Sequence, residues 1–365
     1  MMRVLLCLFA CTCLWLASCM APASASLSSL LVAPSGVSPL LPVERIEAMT
    51  ATLHSRSGQV RSRDGVAIFW RLLDPGDYHF HYRYRPAGIA ASGQHDDAVH
   101  ADFDIDFSAP SGPPPTPRGT VVLLHGWMMD GGSLLPWALD LAQAGYRTVS
   151  IDLRNHGRSG AGLSGYGTRE SDDVASVIRS LREQGEISGP VYLLGVSYGA
   201  ATALFTAQSM GDEISGVIAM ESFANAGRAI RDMVPHMLAR QPDDWLGQAQ
   251  ARLLRWHYGG QDMDAVIAEA DARLGLDLDR VDVSRVVASA PACILLLHGD
   301  QDQHVPVAHG RLLAKSSARV RYIEMAGENH LSLPLRVDRL APTVSDWLAR
   351  TAHPRSHCPQ PKLPA

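Results

Sequence analysis

Along the middle of the chain, short apolar runs alternate with longer stretches whose apolar residues recur at helical spacing. Runs at 119–124, 147–152, 191–196, 216–220, 293–297 and 320–325 predict buried strands. The stretch 60–72, broken by Asp64-Gly65, predicts an earlier one containing a turn. Helices are predicted over 134–144, 170–184, 198–209, 307–316 and 336–350. Strands that are apolar throughout are buried on both faces. Their alternation with helices predicts an α/β fold, a mostly parallel central sheet with helices on both faces.

Two stretches break this rhythm. In "YHFHYRYR", Tyr78, Phe80, Tyr82 and Tyr84 share one face, and His79, His81, Arg83 and Arg85 share the other. In "HADFDIDF", Phe103, Ile105 and Phe107 stand opposite Asp102, Asp104 and Asp106. The two polar faces carry opposite charge, so 78–107 is expected to pair as an inserted hairpin, carboxylates beside arginines. The aspartate string is not a calcium loop, because Phe107 stands where such a loop needs glycine and the distal glutamate is missing. Residues 223–288 hold helical patterns with Trp245, Trp256 and Tyr258 but no convincing strand, and predict a helical insertion.

The ends differ from the body. Arg3 precedes an apolar run from 4 to 17, too short and too near the terminus for a permanent span, and this predicts a secretory signal. Two processing sites compete. Ala23-Ser24-Ala25 is a small-x-small site, whereas Leu16-Ala17-Ser18-Cys19 resembles the bacterial lipobox and makes Cys19 a lipidation candidate. On this reading 1–19 is the signal, 20–42 an uncharged flexible stalk rich in Ala, Ser and Pro, and 351–365 a disordered tail. The protein would cross the inner membrane into the bacterial cell envelope. It would be held at the membrane by lipid on Cys19, or be soluble in the periplasm or outside the cell if Cys19 is unmodified.

Composition narrows the classes. The 365 residues suffice for one large α/β domain with an insertion, and 46% apolar against 19% charged is ordinary for a globular protein. A net charge of −5 gives no basic footprint for nucleic acid. Of the six cysteines, Cys7, Cys11, Cys13 and Cys19 belong to the signal segment. A disulfide framework is therefore not expected, and Cys293 and Cys358 leave room for one bridge.

Candidate chemistry collects at predicted strand ends, where a parallel sheet gathers its ligands. In "GVSYG", Ser197 falls between a buried strand and a helix, the context that makes G-x-S-x-G informative for a nucleophile. A serine hydroxyl needs a base, an orienting carboxylate and oxyanion donors. Of 15 histidines, only His330 follows the last strand and precedes the last helix. "ILLLHGDQDQHVP" offers Asp300 and Asp302 between them in chain order. "LLHGW" leaves its strand at His125-Gly126, so the backbone N–H groups of Trp127 and Tyr198 are the expected oxyanion donors.

These motifs together resemble the α/β-hydrolase superfamily over 60–350: His125-Gly126, "DLRNHGRSG" (152–160), the Ser197 turn, Gly299-x-x-Asp302-x-x-Val305-Pro306 and Gly327-x-x-His330. The resemblance implies Asp302 rather than Asp300 as the acid. It also implies a core in two parts, 43–222 and 289–350, with 223–288 as a cap over the site. A variant receiving its acid after the sixth strand would use Glu221. In "DLRNHGRSG", His156 and Arg158 look catalytic, but the family's loop mainly shapes a turn, with Asp152 and Arg154 tying loops together. A metal reading of His298, Asp300, Asp302 and His304 is set aside, because the triad accounts for Asp302 and strand direction puts His298 elsewhere.

The expected enzyme is a serine hydrolase using Ser197, His330 and Asp302, without metal or organic cofactor, on small or lipid-like carboxylic esters. Trp245, Trp256, Met233 and Met237 suggest an apolar acyl pocket in the cap. The alternatives are an aminopeptidase-like enzyme acting on peptides and a non-catalytic binding member of the fold. The partner is thus a small-molecule ester or peptide, and the oligomeric state is not legible.

Overall fold

The computed structural model describes residues 26–36, 43–86, 101–239, 245–351 and 357–363. The signal segment, Cys19 and the tip of the hairpin lie outside the described residues. Ten strands follow in chain order: β1 (Ser55–Arg61), β2 (Ala67–Leu73), β3 (His81–Pro86), β4 (Ala101–Asp106), β5 (Thr120–Leu124), β6 (Arg147–Ile151), β7 (Val191–Val196), β8 (Gly216–Met220), β9 (Cys293–Gly299) and β10 (Val320–Met325). Eight of them form one sheet in the order β1-β2-β6-β5-β7-β8-β9-β10. All pairings from β6 to β10 are parallel, and β1 and β2 add an antiparallel edge.

The all-apolar strand sequences follow from two buried faces. Leu193, Val122, Leu124, Ile294 and Leu296 belong to one core cluster, whereas Leu194, Val121, Leu123, Leu295 and Leu297 belong to another. Successive residues point to opposite faces, and each fully buried side chain is worth about 1.5–3 kcal/mol.

The helices are α1 (Leu27–Val32), α2 (Val43–Thr50), α3 (Leu135–Gln143), α4 (Thr168–Glu183), α5 (Tyr198–Met210), α6 (Ala226–Ala239), α7 (Trp245–Tyr258), α8 (Met263–Leu274), α9 (Val283–Ser289), α10 (Ala308–Ser316) and α11 (Val337–Thr351). Side chains of α4 and α5 pack into the first cluster, and those of α3 and α11 into the second. The described residues of 223–288 are mostly helical, and the two ends of the segment are stitched to each other. Ala226 N donates to Val281 O at 3.0 Å, Val283 N to Ala224 O at 2.9 Å, and Asn225 pairs with Asp282 in an isolated bridge. Trp245 and Trp256 in α7 are 79% and 80% exposed, so they line no acyl pocket. They recur on an outer face of their helix, and Met233 in α6 is what packs inward.

Both ends of the chain depart from expectation. The stretch read as a flexible stalk contains α1, whose Leu27, Leu31 and Val32 form one apolar face buried against α8. Ser26 caps it, Arg273 donates to the hydroxyls of Ser28 and Ser29, and Tyr166 Oη donates to Leu31 O at 3.0 Å. Six residues cannot sustain a helix alone, so tertiary packing holds this one. The tail read as disordered is docked over 357–363. Cys358 is buried in a disulfide with Cys293, Trp347 Nε1 donates to Pro359 O at 3.1 Å, and Thr343 Oγ1 donates to Lys362 O at 2.7 Å.

The strands β3 and β4 pair antiparallel, with Arg83 opposite Asp104, and Arg85 reaches Asp104 at 2.8 Å. Tyr78 and Phe80 precede the strand and are buried beneath it, so the hairpin starts later than its alternation suggests. Tyr82 Oη donates to Leu335 O at 2.6 Å, and Arg336, paired with Glu328, lies 4.8 Å over the Tyr84 ring. The hairpin thereby leans on the loop that carries His330.

Candidate active site

Ser197 sits between β7 and α5 with φ 52° and ψ −112°, a conformation that costs a non-glycine residue about 1–3 kcal/mol. The flanking glycines serve another purpose. A Cβ on Gly195 would lie 2.2 Å from Gly199 O, and one on Gly199 would lie 2.2 Å from Leu124 O. Close approach of three chain segments requires both glycines, and the serine itself takes the strained turn.

Ser197 Oγ lies 3.0 Å from His330 Nε2, and His330 Nδ1 lies 2.7 Å from Asp302 Oδ2. With Nδ1–H donating to the carboxylate, Nε2 is left to accept from the serine hydroxyl. Asp302 is fixed in turn. Val305 N donates to Oδ1 at 2.8 Å, and His298 Nε2, which donates to Val305 O at 2.8 Å, lies 3.3 Å from Oδ2. Burial alone would raise the Asp302 pKa; the charge of His330 and hydrogen bonds from His298 and His330 outweigh it and hold the carboxyl well below its usual range. Asp300 goes elsewhere, accepting from Gly327 N at 2.8 Å in the turn before His330. His304 stacks on His330 at 5.3 Å, and His236 of α6 meets His304 edge-on at 5.1 Å. The segment 223–288 therefore reaches the Ser197 site through this column of rings.

The loop bearing Trp127 is held by two neutral histidines. A Cβ on Gly126 would lie 3.8 Å from that of Ser197, which brings the loop against the serine. His125 Nδ1 donates to Gly126 O at 2.8 Å, and its Nε2 accepts from Leu153 N at 3.0 Å. His156 Nδ1 donates to Arg154 O at 2.8 Å, and its Nε2 accepts from Met128 N at 3.1 Å. Each ring needs an acceptor nitrogen, which a charged imidazolium lacks. Burial accordingly lowers His125 to about 4 and, with the neighbouring His125, lowers His156 to about 3. The rest of 152–160 ties loops together. Asp152 accepts from Gly131 N and Arg158 N, both at 2.8 Å, and Arg154 pairs with Asp173 and Asp64. The role of His156 could have been found in sequence only from knowing which loop lies opposite it.

His156→Ala should lose about 1–3 kcal/mol of stability at pH 8, because the half-buried Met128 N–H loses its acceptor and the buried ring leaves a void. A histidine with a depressed folded pKa contributes stability that is complete above the unfolded value of about 6.5 and is lost as pH falls toward the folded value. At pH 5 the wild type has lost about 2 kcal/mol through His156 alone, whereas the variant has nothing to lose there. The destabilisation measured by urea unfolding should therefore shrink by about 2 kcal/mol between pH 8 and pH 5. Equal values at both pH would refute a neutral, buried His156.

A chain of hydrogen bonds from a buried carboxylate through an imidazole to a serine, beside a loop of backbone N–H groups, is suited to acyl transfer. The sequence profile of the alpha/beta hydrolase family matches residues 121–343. A monoacylglycerol lipase of Mycolicibacterium smegmatis is 25% identical over 228 residues, 55% of this chain and 76% of that protein. A pimeloyl-[acyl-carrier protein] methyl ester esterase of Xanthomonas axonopodis pv. citri is 25% identical over 252 residues, 63% of this chain and 94% of its own. The Pyrococcus furiosus esterase Pf2001 superposes with a TM-score of 0.57 at 17% identity, over 88% of this chain and 100% of that one.

Proposed function

The chain belongs to the alpha/beta hydrolase family, and on that premise we propose that it is a serine hydrolase cleaving carboxylic esters of small or lipid-like alcohols and acids. The hydrogen-bonded series Asp302–His330–Ser197 on a strained turn carries this reading. Ser197 Oγ attacks the ester carbonyl while His330 Nε2 takes its proton, and Asp302 stabilises the imidazolium that results. The N–H groups of Trp127 and Tyr198 face the developing oxyanion, each worth about 10²–10³-fold in turnover. Collapse of the tetrahedral intermediate releases the alcohol with the proton from His330, and water then attacks the acyl-enzyme by the same route. The two lipid-type and methyl-ester relatives act on carboxylic esters by their names, which supports the bond class.

Rates on p-nitrophenyl esters of increasing acyl length, set beside aminoacyl-naphthylamides, test the reading. Ester turnover several hundred-fold above amide turnover is expected. Amide turnover without ester turnover would replace the esterase by the aminopeptidase-like enzyme. We also assign the protein to the bacterial cell envelope, with Cys19 as the lipidated residue. The Cys293–Cys358 disulfide fits an oxidising compartment. Loss of membrane partitioning in Cys19→Ala checks this, and unchanged partitioning would exclude that anchor.

A further inference from the structure

A second carboxyl stands behind His330. Glu221 follows β8, the strand beside the one that presents Ser197, and is fully buried with φ 56°. Its own N–H donates to Leu297 O at 2.8 Å, so the strained backbone is pinned to β9. Its Oε2 lies 3.6 Å from His330 Nδ1, the same nitrogen that Asp302 holds at 2.7 Å. Among the described residues, neither Glu221 oxygen accepts a hydrogen bond of good geometry, although the Gly299 N–H lies near enough to favour its charge. Strain and an unsatisfied buried carboxyl each carry a penalty that an apolar side chain would avoid.

Two carboxyls close to one imidazole do not both ionise readily. Asp302 has the Val305 N–H and His298 beside it, and Glu221 has neither. Burial first, then the charge of Asp302, push Glu221 well above the ordinary carboxyl range; the Gly299 N–H opposes this, and Glu328 adds to it less strongly. The groups facing Glu221 are thus Asp302 from the loop after β9, and Glu328 and His330 from the loop after β10. His298 and His304 touch Asp302 and His330 from outside.

We propose that Glu221 is a reserve positioning residue for His330, placed to take the Nδ1–H hydrogen bond when Asp302 cannot. In the intact site it stays neutral, leaves the charge to Asp302 and keeps water from the back of the imidazole. With Asp302 gone, Glu221 releases its proton to solvent and a small rotation closes 3.6 Å to hydrogen-bond length. This inference rests on the triad reading above.

The test is a double-mutant cycle on the full chain, with kcat/KM on p-nitrophenyl butyrate followed from pH 5 to pH 9. Glu221→Gln alone should lose about threefold or less. Asp302→Ala should lose about 10²–10³-fold, less than removal of an unreplaced triad acid, and its residual rate should rise with pH as Glu221 ionises. Adding Glu221→Gln to Asp302→Ala should cost a further tenfold or more and flatten that rise, a non-additive result. If the double variant does not fold, Glu221→Leu in the same background fills the volume without a charge. Identical rates and pH profiles for Asp302→Ala with and without Glu221 would overturn the inference. Failure of the triad reading looks different: Asp302→Ala would retain full rate, or its residual activity would survive Ser197→Ala.

Discussion

Ser197→Ala is expected to lower kcat on p-nitrophenyl esters by about 10⁵–10⁶-fold, with KM changed by less than about threefold. On the proposed mechanism the hydroxyl forms the covalent intermediate, so its removal would also idle His330 and Asp302, which would act only through it. What would survive is binding and the proposed backbone donors Trp127 and Tyr198, enough for a residual rate above that in water. Fluorophosphonate labelling of wild type should vanish in the variant. Equal labelling, or a kcat loss below tenfold, would remove Ser197 from the mechanism. Ser197→Gly separates chemistry from strain. It should be as inactive as the alanine variant but more stable by about 1 kcal/mol, because glycine accepts φ 52° without penalty. The site is therefore expected to be less stable than it could be, because the serine occupies a position better suited to glycine.

Opening the disulfide, by reduction or by replacement of both cysteines, should produce a large loss of stability. Cys293 and Cys358 are 65 residues apart, and chain-entropy reasoning assigns a loop of that size about 4 kcal/mol. The bridge also holds the segment whose carbonyls receive Trp347 and Thr343 from α11 and Arg321 from β10. Cys293→Ser with Cys358→Ser should lower the thermal midpoint by about 6 °C, taking an unfolding entropy of about 2 cal/mol/K per residue. Dithiothreitol should lower the wild type by the same amount and leave the double variant unmoved. A variant within 1 °C of wild type would mean that the tail packs without its covalent link.

The central strands β5, β7, β8 and β9 were legible because burial on both faces of a parallel sheet leaves them almost wholly apolar. Ser197, His330 and Asp302 were legible for a related reason. Each follows a strand that the apolar pattern marks, and the order of those strands is visible along the chain. The separation of Asp302 from Asp300 came from the motif rather than from burial or charge, and the structure gives its physical basis in the Val305 N–H that closes on Asp302. Other features depend on contacts between distant segments. Leu27, Leu31 and Val32 look like part of a linker until α8 and Tyr166 supply the surface they cover. Cys358 lies among prolines, and only its distance from Cys293 in space marks it as part of the fold. Trp245 and Trp256 misled for the opposite reason, since large apolar residues at helical spacing are usually inside. Glu221 was visible as an alternative acid, whereas its standing beside Asp302 on the same imidazole was not, because a sequence offers candidates for one role and a site can seat two.

The docking of α1 has a mechanical consequence. Four residues beyond that helix, Gly36 accepts from Gly157 N at 3.0 Å, and a Cβ on it would lie 1.9 Å from Met128 O, next to Trp127, the proposed oxyanion donor. A tether attached ahead of Ser26 would thus grip the enzyme by the rim of its own reaction centre. Orientation of that centre toward whatever the tether is fixed to would be set by packing rather than by free rotation. A recombinant chain begun at residue 43 would lose both the handle and part of the rim.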